Sequence, residues 1–242
     1  MDRLDHTSAR FTAILLFAAL FSGACGSDKS SVTGPGGGAN PAAVSLGSAQ
    51  SYVVLGASAV TNTNGTAITG DMGVSNPGIA PTGFPPGTIT GTIHPGDASS
   101  ALAQGALTPA YNSLAAKTCG TSLTGQDLGS RTLTQGVYCF TSDAQLTGAL
   151  TLNGNANSVF IFKIASSLNT ASNSSVTMTG GSLARNVYWQ VGSSAALGSG
   201  TAFKGNIIAL TSISFATGAS LTGRALARNG AVTMDGNAIT MP

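Results

Sequence analysis

Residues 186–242 read NVYWQVGSSAALGSGTAFKGNIIALTSISFATGASLTGRALARNGAVTMDGNAITMP, and their pattern decides the fold. Apolar segments recur about every 20 residues, and segments rich in Ser, Thr, Ala and Gly lie between them. Repeats of this length predict a solenoid whose coils stack on one another. The alternation in NVYWQV indicates strands in which every second side chain points inward. We therefore predict a mainly β protein built as a single β-solenoid, or β-helix.

The composition narrows the classes of function. Only 7% of the residues are charged, the formal net charge is +2, and every acidic residue is Asp. Nucleic-acid binding needs clustered Lys and Arg, whereas the basic residues here are dispersed, so we expect no nucleic-acid partner. An enzyme that cleaves polysaccharide would need two placed carboxylates, and the Asp residues are scattered. The chain has no catalytic, zinc or phosphate-loop motif, so we predict a non-enzyme without cofactor or metal.

The first 25 residues have the pattern of an export signal. Two arginines precede the apolar run Phe11–Phe21, which is too short to span a bilayer as a stable helix. Residues 22–25 (SGAC) then resemble a bacterial lipoprotein cleavage site, with Cys25 as the lipidated first residue. The alternative is ordinary signal cleavage nearby, which would leave Cys25 as a free thiol.

A linker and one folded domain follow this signal. Residues 26–44 are rich in Gly, Ser and Pro and predict a flexible tether. Residues 45–242 contain no second break in composition and are expected to form one domain. We expect a bacterial outer-membrane or cell-surface lipoprotein, or otherwise a secreted protein, that is monomeric and contacts the membrane only through its lipid anchor.

Two local features complete the predicted domain. If Cys25 is lipidated or removed, Cys119 and Cys139 remain as a pair, and an oxidising compartment would allow them to form a disulfide. Asp97–Lys117 is predicted to be a helix with Asp97 as its N-cap. Pro109 should kink this helix or divide it. One such helix would cover a side of the solenoid.

Segments along nearly the whole predicted domain match one known pattern. They are Leu46–Val74 (LGSAQSYVVLGASAVTNTNGTAITGDMGV), Leu123–Gly129 (LTGQDLG), Thr132–Phe140 (TLTQGVYCF), Ser158–Ile164 (SVFIFKI) and Asn186–Asp235. These segments resemble the microbial ice-binding-like family, whose fold is a discontinuous β-solenoid with one α-helix packed alongside. The resemblance implies that the first of these segments docks beside the last C-terminal coil. It also implies that a cysteine pair ties down a cap near the helix.

The resemblance implies binding to an ice crystal surface, seen as antifreeze activity, inhibition of ice recrystallisation or ice adhesion. Family members with ice activity present a flat β-face, often with a loose Thr-Ala/Gly-X-Thr/Asn pattern. Residues 170–173 (TASN) satisfy this pattern, and residues 217–220 (TGAS) nearly do. A flat sheet offers a regular grid of methyl and hydroxyl groups that can hold ordered water. The candidate ice-binding residues are Thr61, Thr63, Thr147, Thr170, Ser172, Thr201, Thr217 and Ser220.

Other interpretations of the same residues stay open. A cell-surface adhesin or carbohydrate-binding module would use the same grid to bind glycans, and a tether suits adhesion. Aromatic platforms would favour that function, but aromatic residues make up only 6% of the chain. Phe160, Phe162 and Trp189 are most simply explained as core residues. Each candidate threonine or serine is also compatible with a solvated position chosen for its β-propensity.

Overall fold

The computed structural model describes residues 39–242, so the predicted signal peptide and most of the predicted linker lie outside it. The described part contains one α-helix (α1, Ala98–Ala115), two short 3-10 helices (Gly47–Ser51 and Ala184–Asn186) and short strands. The strands are, in chain order, β1 Tyr52–Gly56, β2 Val60–Asn62, β3 Ala67–Thr69, β4 Asp71–Val74, β5 Thr88–Thr90, β6 Ile93–Pro95, β7 Thr121–Ser122, β8 Arg131–Leu133, β9 Gly136–Phe140, β10 Ala144–Leu146, β11 Ala149–Asn153, β12 Phe160–Ile164, β13 Leu168–Thr170, β14 Ser175–Thr179, β15 Val187–Val191, β16 Ala195–Leu197, β17 Ala202–Ala209, β18 Ile213–Phe215, β19 Ser220–Ala227, β20 Val232–Met234 and β21 Ala238–Thr240.

These strands form three faces of parallel β-sheet, and each full coil of the chain supplies a strand to every face. The helix face has the order β7-β9-β12-β15-β17-β19-β1-β4-β6, in which β17 and β19 contribute their C-terminal halves. The threonine face has the order β8-β11-β14-β17-β19-β21-β3-β5, in which the same two strands contribute their N-terminal halves. The third face has the order β10-β13-β16-β18-β20-β2. The predicted β-solenoid is confirmed.

The strands β17 and β19 turn the corner between the threonine face and the helix face without a break. Gly205 and Gly223 pair with each other at this corner. Gly205 has a φ of 113°, and a Cβ atom on Gly223 would lie 1.9 Å from the carbonyl oxygen of Gly205. Glycine is needed here because only a residue without a Cβ allows both the positive φ and the close approach of the two coils.

The two ends of the domain meet, as the family resemblance implied. The N-terminal strands β1, β2 and β3 pair with β19, β20 and β21, respectively. Strands β4 and β5 then pair with β1 and β3 and begin a further coil, and β6 pairs with β4. The order of coils in space therefore differs from their order in the chain, which makes the solenoid discontinuous.

The interior of the solenoid is filled with apolar side chains. Phe203 of the threonine face packs against Trp189 with ring centroids 4.9 Å apart. Tyr138, Phe162 and Trp189 lie above one another at register-paired positions, with ring centroids 5.4 and 3.9 Å apart. In-register parallel strands produce such a stack, because equivalent positions on successive coils lie next to each other. The Trp189 indole nitrogen donates a hydrogen bond to the Lys204 carbonyl oxygen at 3.0 Å, so its one polar group is satisfied.

The helix α1 begins as the sequence predicts and continues past its proline. The Asp97 carboxylate accepts a hydrogen bond from the Ser100 backbone N–H at 2.8 Å, which confirms Asp97 as the N-cap. Pro109 lies inside an uninterrupted helix, so the helix is not divided there. Among residues 39–242, no helix is long and apolar enough to cross a membrane.

The helix α1 buries the outward side chains of the helix face. Leu107 and Leu114 are fully buried and pack with Ile161, Ile208 and Leu226. After α1, the disulfide between Cys119 and Cys139 joins the chain to β9, with the pairing that the sequence predicts. Because this face is covered, a large flat ligand has access only to the threonine face and the third face.

Candidate functional site

The threonine face carries a continuous row of outward side chains that we call the threonine ladder. Alternation along the strands between the two edges buries an apolar residue and leaves its neighbours exposed or half-buried, and in the edge strands β5 and β8 the inward residues are half-buried. Register pairs link the row from strand to strand, and the step from β14 to β17 follows from the pair Ser175 and Ala202. The ladder consists of Thr132, Thr151, Thr177, Lys204, Thr222, Thr240, Thr69 and Thr90. Seven of its eight positions are therefore threonine.

A second outward row on the same face carries small side chains. It lies two residues before the ladder on every strand of the face except β8 and consists of Ala149, Ser175, Ala202, Ser220, Ala238, Ala67 and Thr88. None of these side chains is larger than threonine, so nothing in this row rises above the ladder. The threonine face is therefore flat, and Lys204 is the one charged residue in the two rows.

Buried residues between the two rows hold the threonine face in place. Ile68, Val176, Leu221 and Ile239 point inward and are at most 2% exposed. Their packing fixes each strand, and threonine itself has few rotamers because its Cβ is branched. Neighbouring strands lie about 4.8 Å apart, so the ladder of eight strands is about 34 Å long, and the two rows lie about 6.8 Å apart. The face is a rigid two-dimensional grid of methyl and hydroxyl groups.

The third face lacks such repetition. Its central outward positions are Gln145, Asn169, Ala196, Ser214, Thr233 and Thr61. These side chains change from amide to methyl to hydroxyl groups along the face, and like neighbours occur only in the run Thr233, Thr61 and the bridge-paired Thr82. A periodic ligand would find three like positions in a row on this face, against seven threonines in the ladder, so the threonine face is the better candidate.

The eight residues predicted from sequence do not come together on one surface. Thr61 lies on the third face, and Ser220 lies in the small-residue row of the threonine face. Four residues are exposed in the turns that connect these two faces: Thr63, Thr147, Ser172 and Thr217. Thr170 and Thr201 are buried.

The buried positions of Thr170 and Thr201 correct the prediction that these two residues contact ice. They are 8% and 0% exposed, and their hydroxyl oxygens lie 2.9 Å apart in a hydrogen bond. The Thr201 hydroxyl also donates to the Ala171 carbonyl oxygen at 3.1 Å. The turn between the third face and the threonine face leaves backbone carbonyl groups without strand partners, and buried hydroxyl groups satisfy them.

One exposed turn residue also has its hydroxyl group engaged. The Thr217 hydroxyl donates to the Asp235 carboxylate, and the Asn64 side-chain amide donates to the same carboxylate at 2.5 Å. These hydrogen bonds, with that from Thr217 the stronger influence, hold the pKa of Asp235 below its usual value. The ionised carboxylate thus connects turns of three stacked coils.

The threonines of the ladder were missed at the sequence level, although a signal for them exists. A tripeptide of one small, one apolar and one threonine residue recurs at residues 67–69 (AIT), 149–151 (ALT), 175–177 (SVT), 220–222 (SLT) and 238–240 (AIT). The four-residue family pattern falls instead on the turns before these strands. In the strands its central residue points inward and its threonine outward, but the same tripeptide also occurs on the third face at residues 59–61 and 231–233 (AVT), so the pattern identifies outward threonines without choosing the face.

This arrangement defines a class of protein with a large flat binding surface. Among the described residues, no group of three or more His, Cys, Asp or Glu side chains is placed to hold a metal ion. The ice-binding-like family model matches residues 54–240, and the chain belongs to this family.

Known proteins of similar sequence and structure carry the same description. An ice-binding protein from Nostoc sp. (strain HG1) is 54% identical over 198 residues, which cover 81% of this chain and 73% of that protein. An ice-binding protein from Flavobacterium frigoris (strain PS1) is 33% identical over 236 residues, which cover 90% and 85%. The crystal structure of an ice-binding protein from an Antarctic biological consortium superposes with a TM-score of 0.83 and 46% identity, covering 87% of this chain and 96% of that one.

Proposed function

We propose that the protein binds ice through the threonine face. The observation that carries this proposal is the threonine ladder, in which seven of eight register-linked positions have the same methyl and hydroxyl groups. Membership of the ice-binding-like family supports it independently.

The mechanism follows from the periodicity of the face. Threonine methyl groups leave pockets in which water is held in place, and the hydroxyl groups donate to and accept from that water. Water-mediated contacts are individually weak but have nearly the enthalpy of direct hydrogen bonds. Because ice is itself periodic, the contact at one threonine is repeated at neighbouring strands of the ladder, which lie about 4.8 Å apart. The sum of many weak contacts then holds the protein on the crystal and stops its growth at that point.

Glycan binding by the same scaffold is less well supported. Sugar-binding surfaces usually present aromatic side chains, and here Trp189 and Phe162 are fully buried while the tyrosines of residues 39–242 are at most 9% exposed. The relatives that share the fold are named ice-binding proteins rather than enzymes or lectins. We therefore propose a binding role without a catalytic step.

We also propose that the protein is exported and anchored through Cys25. This proposal rests on the sequence of residues 1–25, which lie outside the described residues. The disulfide between Cys119 and Cys139 supports export, because disulfides persist in oxidising compartments.

Inhibition of ice recrystallisation tests the proposed function, using the chain from residue 26 onward. Thr240→Tyr places a bulky ring inside the ladder, where Thr240 lies between Thr222 and Thr69. Thr233→Tyr is the matched control, because Thr233 lies at the centre of the preceding strand of the same coil but on the third face.

The wild-type chain and the control should inhibit recrystallisation, and Thr240→Tyr should require about ten times more protein. The ring prevents ice from approaching three neighbouring threonines, and three interactions of about 0.5 kcal/mol each amount to this factor. A wild-type chain that is folded but inactive at high micromolar concentration would refute ice binding. Equal loss of inhibition in both variants would refute the choice of face.

A further inference from the structure

The threonine ladder has one interruption. In β17 the ladder position is Lys204, which pairs directly with Thr222 on the next strand. The interruption separates the block Thr132, Thr151 and Thr177 from the block Thr222, Thr240, Thr69 and Thr90.

The fold requires only the backbone of Lys204 and not its side chain. The carbonyl oxygen accepts the hydrogen bond from the Trp189 indole, and the corner glycine follows it in the chain. Within residues 39–242, the Lys204 ammonium has no hydrogen bond or ion pair, and the side chain is half-exposed at the surface. A threonine at this position would therefore continue the ladder without losing a described interaction of the lysine side chain.

A lysine interrupts the surface in two physical ways. Its ammonium is a strongly hydrated point charge that organises water around itself, on a flexible four-carbon stem. The stem is also longer than a threonine side chain, so it occupies the space in which water would be held at the ladder position of β17. The longer uninterrupted block then spans four strands, or about 14 Å, and the shorter block about 10 Å.

We propose that Lys204 is the residue that sets the extent of the ice contact and confines it to the four-threonine block of β19, β21, β3 and β5. The proposal rests on the proposed function and adds to it which part of the face binds. The block that binds is built from both ends of the folded domain, because β3 and β5 come from the N-terminal coils. Replacing Lys204 by threonine joins the two blocks into one row of eight threonines.

Ice recrystallisation inhibition by four variants of the chain tests this inference. They are Lys204→Thr, Thr240→Tyr in the longer block, Thr151→Tyr in the shorter block, and Thr151→Tyr combined with Lys204→Thr. We expect Lys204→Thr to inhibit at about one tenth of the wild-type concentration, because several further interactions of hydrogen-bond strength are added. Thr151→Tyr alone should leave ice recrystallisation inhibition nearly unchanged. In the double variant, it should abolish the improved inhibition that Lys204→Thr produces. A double-mutant cycle measures this coupling between the two positions.

The results separate this inference from the proposed function. An active wild type with no gain in Lys204→Thr, or with Thr151→Tyr as damaging as Thr240→Tyr, overturns the inference alone. Inactivity of both the wild type and Lys204→Thr overturns the proposed function and the inference with it. Fluorescence of Trp189 controls for folding, because its indole contacts the backbone of residue 204.

Discussion

Thr201→Val separates the structural role of a buried threonine from the binding role of an exposed one. The Thr201 side chain has no exposure, and its hydroxyl lies within hydrogen-bond distance of the Thr170 hydroxyl, the Ser174 hydroxyl and the Ala171 carbonyl oxygen. Valine keeps the shape but has no hydroxyl, so one donated and one accepted hydrogen bond disappear in a place that water does not reach.

The size of the effect follows from these two bonds. At about 1 kcal/mol for each buried hydrogen bond, Thr201→Val should lower the free energy of unfolding by about 2 kcal/mol. For a domain of this size, 1 kcal/mol corresponds to about 2–4 °C in the melting temperature, so the expected loss is about 4–8 °C.

Two measurements on each variant are needed, thermal unfolding and ice recrystallisation inhibition well below the melting temperature. Thr201→Val should melt earlier and inhibit recrystallisation as strongly as the wild type. Thr240→Tyr should show the opposite, with a melting temperature within about 2 °C of the wild type, because surface substitutions rarely change stability by more than about 0.5 kcal/mol. If Thr201→Val lost inhibition while its melting temperature stayed unchanged, the assignment of Thr201 as a structural residue would be refuted.

Three further predictions concern stability. Replacing both Cys119 and Cys139 by serine opens a loop with a sequence separation of 20. This should lower the free energy of unfolding, measured by chemical denaturation, by about 3 kcal/mol. An unchanged denaturation midpoint would contradict the prediction. Phe162→Ala removes the middle of the aromatic stack and should cost about 3–5 kcal/mol, with a shift in Trp189 emission in the folded state. The backbone hydrogen bond at the start of α1, followed by the bond with the neighbouring histidine, holds the pKa of Asp97 below its usual value of about 3.9. Because that pKa is lower in the folded than in the unfolded chain, the stabilisation is present above about pH 4 and is lost as the pH falls through the folded value. Asp97→Asn keeps a capping side chain, so the melting temperature should fall less steeply in acid than that of the wild type; an identical acid slope would contradict the assignment.

Much of the fold could be predicted because local sequence patterns determine it. Repeating apolar segments indicate coils, and the short side chain of Asp97 before a helical segment marks the start of α1. The strands β5 and β6 were not predicted, since residues 73–95 are rich in Gly and Pro and favour an irregular cap. Their pairing with β3 and β4 overrides this preference, because the open edge of those strands offers unpaired backbone groups.

The candidate site was harder to predict for a different reason. A threonine that contacts solvent and a threonine that bonds a turn carbonyl look the same in a sequence. Thr170 fits the family pattern, yet it is the last residue of β13 and points inward, whereas Thr177 on the following strand points outward. Only the position of each residue relative to the corner of the solenoid separates the two roles, and that position depends on where the chain turns.

The meeting of the two chain ends has a consequence for synthesis of the protein. Asn64 and Asp235 are 171 positions apart, yet their side chains are bonded across adjacent coils. The apolar strand β1 and the threonines of β3 and β5 are therefore synthesised well before the strands β19, β20 and β21 with which this part of the chain pairs. During that interval the unpaired apolar segment is exposed to aggregation. A product that stops short of β21 would lack Thr240, which lies between Thr222 and Thr69 in the four-threonine block, so the binding face forms only after β21 has been synthesised.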